Sequence, residues 1–135
     1  MLKIFSRKEN PALDHDAALA RMAARGVEVG AIIDVGAAKG AWTDKARRHW
    51  SGAHAHLLEA KESWRADLTA FQGRQKSTTF EIAGVTKEPG VIYFPKAGDA
   101  YGGAVFHDPG DRDDLEAIAA TSIDHEVARL GLKGP

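Results

Sequence analysis

The chain has 135 residues, a formal net charge of −1 and no cysteine. This length allows one domain with a modest core, and the lack of cysteine excludes disulfides, thiolate metal sites and a cysteine nucleophile. The near-zero net charge gives no electrostatic reason to expect binding to nucleic acid or to an anionic membrane. No apolar run reaches the ~18 residues that a membrane span needs, and the first residues turn polar too early for a secretory signal. A cytoplasmic protein is therefore expected.

An arm and a helix are predicted before the first strand. Residues 1–13 are expected to form the arm, and apolar residues at helical spacing predict a helix over 14–25. Gly26 is expected to end this helix. Leu19 and Met22 lie on its apolar stripe, so core packing is the simplest interpretation of both.

A buried parallel strand is predicted from Ala31, and it ends at Asp34. Gly36 and Gly40 follow at once, and a helix is predicted after them to about Trp50. A strand, a glycine turn and a helix N-terminus make the usual crevice for a nucleotide-like ligand at the carboxyl end of a sheet. Gly36 would let the chain leave the strand without steric resistance, and would let a ligand lie against bare backbone.

The residues around the turn favour one kind of ligand. A dinucleotide fingerprint has a glycine where this chain has Ala38, which disfavours a nicotinamide-dependent oxidoreductase, and no P-loop sequence follows the glycines. Asp34 at the strand tip would repel phosphates but suits a ligand that carries a cationic ammonium. The pattern therefore favours S-adenosylmethionine. An ordinary tight turn between strand and helix, with no ligand, is the alternative.

A second strand, predicted over 54–59, ends in an acid. Glu59 lies 19 residues after Gly40. An acid at the tip of the second strand can accept hydrogen bonds from both ribose hydroxyls. Taken alone, Glu59 is more often a solvated acid at a strand end. Its spacing from the glycine turn and its pairing with Asp34 favour the ribose role.

The later elements are predicted from periodicity and turn residues. They are a helix over 62–71 with Gly73 after it, strands over 78–83, 91–94 and 115–122, and a helix over 123–130 that ends at Gly131. Residues 95–112 show almost no apolar periodicity, which predicts a long loop. His107 and Asp108 in that loop are interpreted as solvent-exposed rather than as a general base or metal ligands. The six histidines show no metal-binding spacing, so no metal is assigned.

Two features of the helix after the glycine turn are given structural interpretations. Lys45, Arg47, Arg48 and His49 are expected to form a solvated face near the helix C-terminus rather than a basic binding patch. Trp42 could line the ligand pocket, but packing against the sheet is the preferred interpretation.

The run 33–43 resembles the first motif of the FkbM family of S-adenosylmethionine-dependent methyltransferases. The resemblance continues in order through Leu57–Ala60, Glu81–Val85, Gly90–Phe94, Thr121–Asp124 and Gly131–Pro135. It covers the chain from about Val27, but the sequence stops before the family's next strand, which carries a Lys-Ile-Asp-like motif. The chain is therefore expected to be the N-terminal part of such an enzyme.

The resemblance implies a Rossmann-like class I methyltransferase fold of the α/β class. Residues 14–135 would form a partial S-adenosylmethionine-binding domain, with the N-terminal half of the parallel sheet and a β-hairpin addition. The methyl acceptor would be a hydroxyl of a sugar or another small metabolite, and no catalytic base is assigned. The implied cofactor-binding residues are Asp34, Gly36, Ala37, Gly40, Glu59, Ala60, Ala83 and Gly84. Of these, Asp34 and the two glycines of the turn are assigned to the methionine part, and Glu59 to the ribose.

The predicted topology leaves the first strand without a neighbour. Right-handed crossovers would order the strands three, two, one, which puts the first strand at an edge. Yet Ala31–Ile33 is apolar without alternation, as in strands paired on both sides, and an exposed apolar edge promotes aggregation. A longer chain, a second copy or another polypeptide is expected to cover it. The alternative to a methyltransferase fragment is a non-catalytic remnant that binds the cofactor weakly or associates with a partner chain.

Overall fold

The computed structural model describes residues 14–97 and 104–134, so the predicted arm over 1–13 lies outside the described residues. Within them the chain is α/β, as predicted, with two three-stranded sheets. The elements in chain order are α1 (His15–Ala24), β1 (Ala31–Val35), α2 (Ala41–Arg47), β2 (His54–Glu59), α3 (Arg65–Arg74), β3 (Thr78–Ile82), β4 (Gly84–Val85), β5 (Gly90–Pro95), β6 (Leu115–Thr121) and α4 (Ile123–Leu130).

The first sheet is parallel and has the order β1-β2-β3, which confirms the predicted strand order. Because side chains alternate along a strand, Ala55 and Leu57 of β2 point to one face and His56 to the other. The first face packs against α1, α2 and α3. The buried residues of this core are Leu19, Ile32, Ala37, Ala46, Ala53, Ala55, Leu57, Leu68 and Phe71. On the opposite face, His56 contacts α4.

The second sheet is mixed and has the order β4-β6-β5. The predicted hairpin addition is confirmed in part: β5 and β6 are antiparallel, but β4 pairs with β6 in parallel. The strand predicted over 78–83 is one residue too long, because β3 ends at Ile82 and the chain passes to the second sheet at Gly84. A Cβ at Gly84 would collide with Cδ1 of Ile92 in β5, so a larger residue there would require the end of the isoleucine side chain to move.

Two helix boundaries were predicted wrongly. The helix α2 ends at Arg47 rather than near Trp50, because the next residues form a tighter turn and the Trp50 indole donates to the Val27 carbonyl at 2.8 Å. The helix α3 begins at Arg65, after a single 3₁₀ turn over Glu62–Trp64, and continues through Gly73. Glycine inside a helix costs about 1 kcal/mol relative to alanine, which the packing of α3 tolerates.

Three side-chain predictions on α1 and α2 are also corrected. Met22 is 42% exposed and Trp42 is 37% exposed, so neither is a core residue, whereas Leu19 is buried as predicted. Arg47 is buried and does not belong to a solvated face. Its guanidinium donates to the carbonyl of Lys76 at 2.6 Å and to the hydroxyl of Thr78 at 2.9 Å. This arginine therefore fastens α2 to the start of β3.

The predicted loop after β5 is irregular in its described parts, apart from a short pairing of Phe106 with Tyr93. Residues 98–103 of that loop lie outside the described residues. Among the described strands, β1 pairs with β2 alone, so its other side is an edge, and Val35 at its end is 51% exposed. Within the described ranges, no helix has the length and apolarity needed to cross a bilayer.

Candidate functional site

A cavity of about 300 Å³ opens where the carboxyl ends of β1 and β2 meet the second sheet. Its walls are apolar on the side of the second sheet, where Ile92 and Phe94 of β5 and Val105 of the following loop line it. The predicted site residues that line it are Gly36, Glu59, Ala60, Ala83 and Gly84. The cavity therefore brings together residues from three separate segments of the sequence at the switch from one sheet to the other.

The two glycines of the turn have different roles. Both have left-handed backbone conformations, with φ of +76° at Gly36 and +81° at Gly40. Gly36 lines the cavity, and a Cβ there would meet no atom within 4 Å. At Gly40, a Cβ would lie 2.5 Å from the ring of the buried Phe71. Gly36 thus leaves room for a ligand, whereas Gly40 lets α2 begin close to α3.

Ala38 also has a left-handed conformation, with φ of +49°. L-residues other than asparagine and aspartate rarely adopt it, so the turn is held there by its neighbours. One such contact is the hydrogen bond from the Ala38 amide to Oε2 of Glu59, at 2.9 Å. The backbone conformation at this position is therefore one that glycine prefers, although the residue is alanine.

The Glu59 carboxylate closes the turn from the tip of β2. Its Oε1 accepts a hydrogen bond from the Lys61 amide at 2.9 Å, while its Oε2 accepts the one from Ala38. The side chain is buried and lines the cavity. A carboxylate has about four acceptor positions, so backbone amides occupy about half of those of Glu59. The remaining positions suit hydroxyl groups of a ligand.

Asp34 lies at the tip of β1 and does not line the cavity. Its carboxylate accepts a hydrogen bond from the Thr43 hydroxyl in the first turn of α2, at 2.7 Å. Burial raises the pKa of Asp34, the hydrogen bonds from Thr43 oppose that rise, and the negative charge of Glu59 adds to it. Two neighbouring carboxylates make this end of the sheet favourable for a cation.

The remaining predicted residues contribute to the scaffold of the site. Ala37 is buried in the core of the first sheet, and Gly40 packs against Phe71. The prediction missed the wall formed by Ile92, Phe94 and Val105, and it missed Lys61. Lys61 had a local signal, since it follows the strand that ends in Glu59. The wall had none, because its position depends on how the second sheet packs.

His107 is exposed, as interpreted from the sequence. In the part of the chain that the structure describes, no three histidines, cysteines or acids come together as a metal site would require. Comparisons of the chain with protein-family models, with curated proteins and with solved structures gave no match. The chemistry of the cavity and the motif pattern therefore carry the functional conclusion.

Proposed function

We propose that the cavity binds S-adenosylmethionine, and that the chain supplies the cofactor-binding part of an FkbM-like methyltransferase. The observation that supports this most is the position of Gly36 and Glu59. They lie side by side at the carboxyl ends of adjacent parallel strands and line one cavity. Ligands of open α/β sheets bind at such positions, with bare backbone against the ligand and an acid near a ribose.

The lining of the cavity suits a nucleoside joined to a cationic group. Ile92 and Phe94 offer apolar surface to a flat base, next to the small residues Ala83 and Gly84. The free acceptor positions of Glu59 suit the ribose hydroxyls. The carboxylates of Asp34 and Glu59 favour positive charge nearby. The apolar wall and the Glu59 carboxylate thus each have a counterpart in S-adenosylmethionine.

The proposed reaction is methyl transfer to a hydroxyl of a sugar or another small metabolite. The bound cofactor would supply an activated methyl group. Transfer to a hydroxyl oxygen is an in-line displacement, so the contribution of the protein is largely to hold the two reactants in position. The Gly36 turn and Glu59 would fix one reactant, and no residue is assigned as a base.

The edge of β1 favours a second candidate, a remnant that associates with a partner chain. Among the described residues, β1 has one neighbour, and Val35 at its carboxyl end is exposed. Unpaired backbone groups along such a strand can pair with another chain. Light scattering of the purified chain, combined with a cofactor titration, distinguishes the candidates, because the remnant would associate with another chain and would bind the cofactor weakly or not at all.

The test of the proposal is a calorimetric titration with S-adenosylhomocysteine, the product of methyl transfer. Glu59→Gln should weaken binding about tenfold or more, because hydrogen bonds to charged groups contribute about 1.5–3 kcal/mol. Glu116→Gln, which changes an exposed acid of β6, is the matched control and should bind as the unchanged chain does. Thermal unfolding of each variant shows whether it is folded. Absence of binding by the folded, unchanged chain would overturn the proposal.

A further inference from the structure

A buried histidine joins β2, β3 and α4 on the face of the first sheet that lies opposite its main core. His56 is fully buried. Its Nδ1 lies 2.8 Å from the hydroxyl oxygen of Thr79 in β3, and its Nε2 lies 3.0 Å from Oε2 of Glu126 in α4. Both ring nitrogens are therefore hydrogen-bonded inside the protein, and the ring cannot reach a ligand.

Glu126 holds further partners around the same ring. It is buried, and its Oε1 accepts a hydrogen bond from the Thr121 hydroxyl at 2.6 Å. Its Oε2 accepts from Arg129 Nε at 3.1 Å as well as from His56, and Arg129 also pairs with Glu81 of β3 at 3.2 Å. The charged groups that act on His56 are thus Glu126 and Arg129 from α4 and Glu81 from β3.

The hydrogen-bond partners determine which nitrogen of the neutral His56 ring carries the proton. A carboxylate can only accept, so Nε2 of His56 donates to Glu126, and Nδ1 of the neutral ring accepts from Thr79. The Thr79 oxygen then accepts from Nε2 of His54, which lies 2.9 Å away. If His56 gains a proton, Nδ1 must donate to Thr79 instead, and the hydrogen of the Thr79 hydroxyl must turn away from the His56 ring. The new positive charge would also lie beside Arg129 on the same carboxylate oxygen.

We propose that His56, Thr79, Glu126 and Arg129 form an acid-sensitive fastening of α4 to the first sheet. Neutral His56 holds α4 against the first sheet, and protonation of His56 weakens this attachment. Burial lowers the pKa of His56, and this outweighs the attraction of Glu126. The unfolded chain therefore takes up the proton more readily, so the stability that His56 contributes is complete above the ordinary histidine pKa of 6.5 and declines as the pH falls below it.

The fastening of α4 is also connected to the wall of the cavity through Thr121, although it does not depend on cofactor binding. Thr121, which donates to Glu126, pairs with Val85 of β4, and Val85 lines the cavity. A loosened α4 thus removes a support of that wall. The fastening can be tested on the chain without any ligand, so its failure and the failure of the proposed function are separate results.

The test is amide hydrogen exchange of α4 at about pH 7.5 and about pH 5.5, corrected for the intrinsic rates. The unchanged chain should show an opening constant for α4 that rises in acid, by up to about tenfold per pH unit. His56→Gln should remove that dependence. His125→Gln, which changes an exposed histidine of the same helix, should keep it. Protection of α4 that is constant or greater in acid would overturn the proposal, as would an unchanged dependence in His56→Gln.

A second measurement covers the case in which His56→Gln does not fold. The ring of His56 in the unchanged chain can be followed by NMR as the pH is lowered. Its midpoint should lie below the ordinary value of 6.5, and the α4 amides should change with the same midpoint. A midpoint above that value would show that protonation strengthens the contact with Glu126, which is the opposite of the proposal.

Discussion

Gly40 offers a sharp test of how the glycine turn is built, because two separate effects oppose any side chain there. Its φ of +81° is a conformation in which an L-residue is strained. The Cβ of an alanine would also lie 2.5, 2.7 and 3.0 Å from three atoms of the Phe71 ring. That ring is fully buried and has no room to retreat without disturbing the core.

The two effects give a rough magnitude for Gly40→Ala. A left-handed conformation costs an L-residue about 1–2 kcal/mol. Overpacking of a well-packed core costs about 1–3 kcal/mol more. The variant should therefore lose about 2–5 kcal/mol of unfolding free energy. Gly36→Ala should lose about 1–2 kcal/mol, because its φ is similar but a Cβ there meets nothing within 4 Å.

Urea unfolding of both variants and of the unchanged chain measures these differences, with the midpoint compared at constant slope. Gly36→Ala serves as the matched control, since it shares the backbone strain but lacks the contact with Phe71. Equal losses in the two variants would refute the assigned role of Gly40 in packing α2 against α3. A smaller loss in Gly40→Ala than in Gly36→Ala would refute the geometry of the turn itself.

Two further predictions concern buried polar groups of the scaffold. Arg47→Met should lose about 2–4 kcal/mol of unfolding free energy, because the carbonyl of Lys76 and other acceptors lose a charged donor. The control is Arg48→Met, which changes an exposed arginine of the same region and should stay within about 0.5 kcal/mol of the unchanged chain in the same urea assay. Asp34→Asn should be as stable as the unchanged chain or more stable at neutral pH, because burial raises the pKa of Asp34 and the amide oxygen can still accept from Thr43. The stability that Asp34 contributes to the folded chain is fully present below its ordinary pKa of 3.8, and it is lost as the pH rises through the raised pKa of the folded state. The advantage of the asparagine should thus disappear in acid, and a variant that is less stable at every pH would contradict this.

The parts of the structure that the sequence predicts well are those set by local patterns. Strand order follows from right-handed crossovers, and the position of Glu59 at a strand tip follows from its spacing after the glycine turn. Arg47 was misjudged because its acceptor Lys76 is 29 residues away, and a solvated and a buried arginine have the same helical spacing. His56 and Glu126 are 70 residues apart, so no local pattern brings them together. Met22 and Trp42 lie exposed because the core is filled by other side chains, which periodicity cannot show.

The most direct test of the proposed cavity is an NMR titration of the labelled chain with S-adenosylhomocysteine. If the cavity binds this ligand, the amides of Gly36, Ala38, Ala60 and Gly84 should shift together and saturate. The amides of Gly52 and Gly73, which lie in the turn after α2 and within α3, should not move. Shifts confined to residues outside the cavity, or no shifts at all in the folded chain, would contradict cofactor binding at this site.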